Sequence, residues 1–545
     1  MKLKKLKLLS KFRGLPSGYE IDFSIKKNIE HSVEPICFIG LNGSGKSNIL
    51  EVISEIFYYL EGYAKTDEKN VNQFKTVFGF QIEYSLPKMT VDDTGFSIGD
   101  LSGISIEDLG QHKHILISKK KNELPIIKIS FGENNTKLNI SKNEQLSAVL
   151  PRYIIGYSSG MNELLSNPFI KMDFDYFKEL KQKTNQALRS TLEINRLFYL
   201  NYLSSKLVAI SNFIFELEAI NPIKEELKLI SLKSFSIKLK LSKLKDKKDY
   251  LPSELNLAIN SFQKIDQLFL KNEITNQKFK DKIEFEFNFD INKDTKRAFI
   301  NEFKTPYSLF RILYNFQMLN LELVGFNTRK KVMDSNSISK DNLSDLIPKK
   351  EKEKLIFSVD NIAFEKKGVT DNVYFKQLSD GEHQLLQVLG SVALLESKST
   401  LFLFDEPTTH FNPEWRSKFI FLLNQCTNNI EREQDILITT HSPFIVSDSK
   451  RENVIRTLNG EKKTYEIPED ETYGASIRFL LSKLFNQKKS IGEYSYQELQ
   501  KLYDKVEAIE NEEDIQFIKD ESMKFGDSPE KIMLFHLLNE KIKKL

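Results

Sequence analysis

The residues Gly40 to Ser47 read GLNGSGKS, which satisfies the spacing G-x-x-x-x-G-K-[ST]. An apolar run precedes them and an apolar pattern of helical spacing follows, so the sequence predicts a strand, a glycine-rich loop and a helix. In such a loop the backbone N–H groups and the helix N-terminus face phosphate oxygens, while a lysine reaches the β- and γ-phosphates and a hydroxyl ligates Mg²⁺. We predict a nucleotide phosphate site at Gly40, Asn42, Gly43, Ser44, Gly45, Lys46 and Ser47, with Ser47 also on the metal.

Two carboxylates, Asp405 and Glu406, end the apolar run that begins at Leu401. A buried parallel strand would deliver both acids at its carboxyl edge, beside the phosphate loop. We predict that Asp405 holds the Mg²⁺ shell and that Glu406 orients or deprotonates the attacking water. A second apolar run begins at Ile436 and ends in His441.

The segment Leu378-Ser379-Asp380-Gly381-Glu382 precedes a pattern of helical spacing. Its serine, its glycine backbone and the helix N-terminus predict a second anion site. The segment resembles the signature of ABC-type ATPases, whose usual form is LSGGQ or LSxGE. The resemblance implies that Ser379, Gly381 and Glu382 meet the γ-phosphate held by a partner chain, so that neither copy has a complete site alone.

The same resemblance implies roles for other residues. His441 corresponds to the switch histidine that senses the γ-phosphate, and the segment from His410 to Pro413 takes the place of the D-loop. Phe12-Arg13 resembles the FR/FK element of chromosome-maintenance ATPases, which implies a nucleotide contact for Arg13; a solvated arginine is the alternative. The Q-loop falls either at residues 156–163, which contain no glutamine, or at Gln81.

Four segments must position these residues in an α/β fold. Residues 1–170 are expected to form the first half of an ABC-type P-loop ATPase head, with an antiparallel β lobe. Residues 171–350 are expected to form a largely helical insertion containing a small β module at about 230–300, where alternating stretches could pair Lys238 and Lys240 with Glu284 and Glu286. Residues 351–460 complete the head, and residues 461–545 are helical and charged.

The composition narrows the class of protein further. The chain has 545 residues, 40% of them apolar, and a net charge of +3, so a substantial core is expected and general polyanion binding is not. Its two cysteines do not indicate a disulfide framework or a zinc site. No apolar window long enough for a transmembrane helix occurs, so the expected location is the cytoplasm, with no membrane partner.

The order of the motifs, with a long insertion after the phosphate loop, resembles the branch of chromosome-maintenance, recombination-repair and overcoming-lysogenization-defect ATPases. The sequence most resembles the restriction-system-associated ATPases of bacterial defence loci, which are relatives of the Septu-type ATPase. This implies an ATP- and Mg²⁺-dependent homodimer that controls a separately encoded nuclease, such as one of HNH type, with residues 470–545 as one docking candidate. The chain itself is not expected to cut nucleic acid.

Two alternatives remain open. One is a DNA-maintenance clamp without an effector, with a basic surface near Lys238 to Lys248. The other is a transport ATPase, which would need a membrane partner.

Overall fold

The computed structural model describes residues 1–23, 34–66, 78–87, 112–131, 136–139, 143–160, 163–182, 194–244, 251–269, 284–335, 341–348, 351–397, 399–427, 434–458, 465–487 and 489–543. The strands are β1 (Lys2–Leu8), β2 (Glu20–Asp22), β3 (Ile36–Ile39), β4 (Phe80–Leu86), β5 (Lys113–Lys119), β6 (Ile126–Phe131), β7 (Thr136–Asn139), β8 (Tyr153–Ser158), β9 (Leu197–Tyr199), β10 (Leu229–Lys240), β11 (Glu284–Asp290), β12 (Phe357–Lys366), β13 (Val373–Tyr374), β14 (Thr400–Asp405), β15 (Asp435–Thr439), β16 (Val454–Thr457) and β17 (Tyr465–Glu466). The helices are α1 (Lys46–Lys65), α2 (Asn167–Gln182), α3 (Tyr202–Ile214), α4 (Asn221–Leu227), α5 (Ser253–Phe269), α6 (Lys293–Phe303), α7 (Pro306–Met318), α8 (Phe326–Asp334), α9 (Asp380–Leu394), α10 (Pro413–Thr427), α11 (Pro443–Ser447), α12 (Ile477–Leu484), α13 (Glu493–Glu507), α14 (Glu512–Met523) and α15 (Pro529–Ile542).

A central sheet of seven described strands carries the predicted motifs, in the order β17-β16-β3-β15-β14-β8-β9. Its strands run parallel except β17, which is antiparallel to β16. Every residue of β3, β14 and β15 is buried, which explains why their sequences are nearly continuous runs of apolar residues. Because β15 lies between β3 and β14, the carboxyl ends of these three strands meet at one edge.

The predicted antiparallel lobe is present as a sheet of order β2-β1-β4-β5-β6-β7. Strands β4 and β5 alternate buried and partly buried residues, as expected of a sheet with one covered face. The covered face packs against α1, where Phe57 lies edge-on to Tyr84 and Tyr59 lies edge-on to Phe80.

A second antiparallel sheet has the order β11-β10-β12-β13. The predicted strand pairing is confirmed, because Lys238 lies opposite Glu286 and Lys240 opposite Glu284. The Lys238 ammonium is 2.9 Å from the Glu286 carboxylate. On its other edge β10 pairs with β12, which comes from the segment predicted to complete the head.

Elements from the predicted segment 171–350 pack directly against elements of the two predicted head segments. Strand β9 joins the central sheet beside β8. Helix α3 packs against α9, where Asn212 Nδ2 donates to the Gly390 carbonyl at 3.0 Å. Strand β9 and helix α3, both from the middle segment, therefore help to build the head. The division into four domains stays a prediction.

The C-terminal region consists of a helix packed on the head and three helices with their own core. Leu480 of α12 packs in one cluster with Ile39, the residue before the phosphate loop. Helices α13 to α15 enclose a separate apolar cluster that includes Leu499, Ile518 and Leu534. Within the described residues, no helix combines the length and apolar character that crossing a bilayer requires.

Candidate active site

The phosphate loop connects the buried end of β3 to the first turn of α1. Three of its glycines have positive φ: 149° at Gly40, 80° at Gly43 and 89° at Gly45, which caps the helix. A Cβ at Gly40 would lie 2.5 Å from Thr457 Oγ1 and 2.7 Å from Ser44 Oγ. These positions explain why the loop requires glycine where the motif has it.

Lys46 provides a buried positive charge at this loop. Its Nζ donates to the carbonyls of Gly40 at 3.1 Å and Leu41 at 3.2 Å. Burial lowers the pKa of Lys46, an effect that the nearby carboxylates of Glu406 and Asp405 oppose. A desolvated ammonium with few neutralising partners is suited to a phosphate, which would stabilise its charged form.

Asp405 lies at the carboxyl end of β14, within hydrogen-bonding distance of three hydroxyl groups. Ser47 Oγ donates to its Oδ1 at 2.8 Å, Thr439 Oγ1 donates to the same oxygen, and Ser158 Oγ lies 3.4 Å from Oδ2. The sequence prediction placed Ser47 at this site but not Thr439, and it included Ser158 only within the 156–163 Q-loop candidate. Both stand opposite Asp405 in the ladders of β15 and β8, so strand register was the missing signal.

The Q-loop alternatives occupy different sheets. Ser158 belongs to the 156–163 candidate and therefore lies beside the acid strand, although Met161 and Asn162 are outside the described residues. Gln81 lies on β4 in the antiparallel lobe, opposite Ser118. The geometry thus associates the first candidate with Asp405, and the family role of either segment stays a prediction.

Glu406 follows Asp405 in a left-handed backbone conformation, with φ of 51°. Its amide N–H donates to the Thr439 carbonyl at 3.2 Å, and its Oε2 accepts from the His441 amide at 3.3 Å. Its Oε1 is buried without a hydrogen-bond partner among the described residues, and His441 Nε2 lies 3.7 Å away. Glu406 therefore has one carboxylate oxygen available to a further donor.

The charges around Glu406 favour a proton acceptor. Burial and the neighbouring Asp405 raise the pKa of Glu406 to about 7, against the opposing effect of the His441 amide and Lys46. Burial and Lys46 lower the pKa of His441, which favours a neutral imidazole near neutral pH, whereas Asp405 acts to raise it. A carboxylate that titrates near neutrality is suited to general-base chemistry.

The donor set fits a nucleotide with Mg²⁺. The Ser47 hydroxyl and the Asp405 carboxylate are hard oxygen ligands, and Mg²⁺ is commonly held by one or two carboxylates together with substrate phosphates and water. Among the described residues, no cluster of three or more His, Cys, Asp or Glu side chains is placed to hold a metal. Thr457, missed by the sequence prediction, supports the loop through a 2.6 Å contact between its Oγ1 and Ser44 Oγ.

The signature segment forms the N-terminus of α9. Ser379 caps this helix in a reciprocal arrangement: Glu382 Oε2 accepts from the Ser379 amide at 2.7 Å, and Ser379 Oγ accepts from the Glu382 amide at 3.3 Å. Lys366 holds the other oxygen of Glu382 at 2.5 Å. Burial acts to raise the pKa of Glu382, but the hydrogen bonds from Lys366 and Ser379 lower it overall. A Cβ at Gly381 would lie only 2.8 Å from the His410 carbonyl oxygen.

Arg13 lies beside α1 in a buried ion pair with Glu51, which is one turn beyond Ser47. The two side chains are 4% and 2% exposed, so this is not the solvated arginine that the sequence left as an alternative. Burial raises the pKa of Glu51, and Arg13 opposes that shift. The nucleotide contact proposed for Arg13 stays a prediction.

The predicted site residues thus form two groups within one chain. The phosphate loop, Asp405, Glu406 and His441 meet at the carboxyl edge of the central sheet. Ser379, Gly381 and Glu382 lie at the start of α9, against His410. In the described part of the chain, no hydrogen bond or ion pair joins the second group to the phosphate loop.

Comparison with known proteins agrees with an ATPase head. The family model "AAA domain, putative AbiEii toxin, Type IV TA system" matches residues 212–447, which include the signature, both acids and His441 but not the phosphate loop. Protein ea59 of Escherichia phage lambda is 26% identical over 118 residues, or 21% of this chain and 22% of that protein. The match therefore spans about a fifth of the relative's length.

Two solved structures of SMC heads show a loose overall similarity. One is the SMC head bound to the C-terminal winged-helix domain of ScpA, with a TM-score of 0.33 and 12% identity over 86% of this chain and 98% of that chain. The other is the SMC head domain from Thermotoga maritima, with a TM-score of 0.32 and 11% identity over 86% of this chain and 100% of that chain.

The chain is an α/β protein that contains a P-loop ATPase head. Three features of the chain's own structure define this class: the parallel sheet, the phosphate loop between β3 and α1, and the acid pair at the end of β14. The family match over residues 212–447 extends it to the second half of the head.

Proposed function

We propose that this chain binds and hydrolyses ATP with Mg²⁺ as a cytoplasmic homodimer, and that it controls a separately encoded nuclease in anti-phage defence. The observation that carries the ATPase proposal is the convergence of Lys46, Ser47, Asp405 and Glu406 at one sheet edge. Mg²⁺ would supply charge neutralisation at the phosphates, held by Ser47 and Asp405.

The chain's own residues divide the remaining work. The loop amides and Lys46 bind the phosphates, and Lys46 exchanges its contacts with the Gly40 and Leu41 carbonyls for phosphate oxygens. Glu406 orients a water through its free Oε1 and holds the proton released by that water. His441, positioned by the hydrogen bond that its backbone amide donates to Glu406, contacts the terminal phosphate.

The dimer proposal rests on the separation of the two groups of site residues. Ser379 and the N-terminus of α9 form an anion-binding end that makes no contact with the chain's own phosphate loop within the described residues. A second copy arranged head to tail would bring this end to the γ-phosphate, so each site would draw on both chains.

The C-terminal helices support control of a separate nuclease. Helix α15 buries Leu534 and Leu538 but exposes Ile532 by 68% and Met533 by 63%. Helix α12, which precedes this bundle in the sequence, packs through Leu480 in one cluster with Ile39, the residue before the phosphate loop. A nuclease docked on α15 could therefore respond to nucleotide at the loop; the Septu-like defence role rests on the sequence resemblance.

The test compares Lys46→Ala with Lys65→Ala, a change on the same helix at a surface ion pair with Glu179. A hydrogen bond to a charged group contributes about 1.5–3 kcal/mol, so Lys46→Ala should weaken ATP binding by roughly 10- to 100-fold. Lys65→Ala should bind as the unchanged chain does. Fluorescent-nucleotide titration measures both, and undiminished affinity in Lys46→Ala would refute the site.

A DNA-maintenance clamp is the second candidate, favoured by a cleft of 750 Å³ lined by Lys224, Lys228 and Lys367. None of these three lysines forms an ion pair with another described residue. The lysine run expected to contact DNA is engaged otherwise: Lys233 and Lys238 pair with acids, and residues 245–248 are outside the described part. DNA binding that falls with salt and with charge reversal at the cleft would favour this candidate.

A further inference from the structure

Gln384, a residue with no role in the proposed chemistry, lies between the signature helix and the segment that follows Glu406. It is on the buried face of α9, five residues after Ser379, and only 2% of it is exposed. Its Nε2 donates to the Tyr157 hydroxyl at 2.9 Å. Its Oε1 accepts from the His410 backbone amide at 3.0 Å. The side-chain amide therefore bridges the signature helix, β8 and the chain that follows Glu406.

Both partners of Gln384 are tied to the acids. Tyr157 is opposite Phe404 in the β8–β14 ladder, one residue before the Ser158 and Asp405 pair. His410 follows Thr409, whose amide N–H and hydroxyl both donate to the Glu406 carbonyl, at 3.3 Å and 2.9 Å. The backbone around His410 is thus connected to Glu406 on one side and to Gln384 on the other.

The N-terminal part of α9 contacts both the amide N–H and the carbonyl oxygen of His410. Gln384 accepts the amide N–H, while Gly381 allows the carbonyl to approach so closely that a Cβ would stand 2.8 Å from its oxygen. A side-chain amide offers a donor and an acceptor on two separate atoms without carrying a charge. An apolar residue of equal length would leave the His410 amide and the Tyr157 hydroxyl without these partners.

We propose that Gln384 is a positioning residue that fixes the signature end of α9 relative to Glu406 of the same chain. The inference rests on the proposed function, in which Glu406 acts on the chain's own nucleotide and Ser379 on the partner's. Gln384 touches neither nucleotide, but it sets the geometry between the two faces that one chain presents. Through it, the two composite sites of a dimer are coupled.

The experiment uses full-length chains carrying Glu406→Gln, in which ATP-bound dimers should accumulate. Gln384→Met, added to this background, removes both hydrogen bonds and keeps the side-chain length. The matched control is Gln434→Met. Gln434 is also a fully buried glutamine, whose Nε2 donates to the Leu395 carbonyl at 2.6 Å, but it precedes β15 at the opposite edge of the sheet. Sedimentation measures the ATP-dependent dimer, nucleotide titration measures binding to each chain, and urea unfolding measures stability.

The expected result is that Gln384→Met leaves nucleotide affinity within about twofold and weakens the ATP-dependent dimer about tenfold or more. Gln434→Met should lose comparable stability and keep the dimer. Tyr157→Phe deletes one oxygen and keeps the hydrogen bond between Gln384 and His410. The dimer of this variant should be weakened by an amount between those of the other two. It keeps the inference testable if Gln384→Met does not fold.

Two outcomes would overturn the inference: an unchanged dimer in Gln384→Met, or an equal loss of the dimer in Gln434→Met. Failure of the proposed function looks different, because the Glu406→Gln chain would then form no ATP-dependent dimer before Gln384 is changed. That result would remove the inference together with the function on which it rests.

Discussion

The two adjacent acids of β14 occupy different environments, although they are neighbours in sequence. Three hydroxyl groups surround the Asp405 carboxylate, whereas Glu406 accepts one backbone amide and keeps Oε1 without a partner among the described residues. Glu406 also has a left-handed backbone conformation, which Asp405 does not share. Metal binding and water activation can therefore belong to separate residues.

Glu406→Gln should separate nucleotide binding from hydrolysis. The change keeps the side-chain volume and a hydrogen-bonding group but removes the base, so hydrolysis should fall by about 10²- to 10⁴-fold. Nucleotide affinity should persist, because Lys46 and the loop are intact. Phosphate release and nucleotide titration measure the two effects, and Glu414→Gln, at an exposed carboxylate on α10, is the control. Hydrolysis at the unchanged rate would exclude Glu406 as the base.

The pH dependence of hydrolysis should report the same residue. Burial and Asp405 raise the pKa of Glu406 to about 7, and only the ionised carboxylate can accept a proton. The rate should therefore rise with pH through about 7, and at pH 6 about a tenth of Glu406 would be ionised. Initial rates at saturating ATP in the unchanged chain, corrected for stability, measure this profile. A rate that falls as pH rises through this range would contradict the base assignment.

At the scale of elements, α1 depends on the segment that precedes β2. The Arg13 and Glu51 side chains form a buried pair across this contact, and Leu15 reaches the glycine that caps α1, since a Cβ at Gly45 would lie 3.1 Å from its Cδ2. A buried pair is costly to break from one side, because one charge is left without its partner. The orientation of the phosphate loop is thus connected to the antiparallel lobe.

Arg13→Met should lower the free energy of unfolding by about 3–5 kcal/mol, because it leaves the Glu51 carboxylate buried and unpaired. The double variant Arg13→Met with Glu51→Leu should recover most of this loss. Urea unfolding measures both. Nucleotide titration of the double variant adds a second result: unchanged affinity would show that Arg13 supports α1 only, whereas lost affinity would support the predicted nucleotide contact.

The local elements of the site could be predicted from the sequence, but their long-range partners could not. The apolar runs of β3, β14 and β15 and the loop before α1 depend on neighbouring residues, so pattern and spacing were sufficient. Thr439 and Thr457 reach the site through strand register, which a single sequence does not contain. The pairing of β10 with β12 has the same origin, because the described chain between them includes the four helices α5 to α8 and β11.

At the scale of the whole molecule, the structure divides one chain into a face that holds the phosphate loop and acids and a face that begins at Ser379. Neither face alone provides all the residues that the proposed reaction uses. Gln384 and Gly381 connect the two faces through His410, so a chain that closes on its partner carries both as one unit. The proposed dimer would use both faces of each chain to complete its two composite sites.

Mixing two inactive variants tests the composite sites directly. Lys46→Ala damages the phosphate loop, and Ser379→Arg places a bulky cation where the partner's γ-phosphate must approach. A heterodimer of the two has one site with both defects and one site with neither. Random exchange would make about half of the dimers heterodimers, so about a quarter of all sites would be intact and a corresponding part of the ATPase activity should return.

The strength of this test lies in its controls. Each variant alone should be inactive, and Ser379→Arg should still bind nucleotide, because its own phosphate loop is unchanged. Mass measurement of differently tagged chains establishes that heterodimers have formed. No recovery in proven heterodimers would contradict two independently acting composite sites, and full activity of Ser379→Arg as a proven monomer would show that one chain is sufficient. Recovery near the expected quarter would instead require that Ser379 of one chain and Lys46 of the other serve the same nucleotide, because only that pairing leaves an undamaged site.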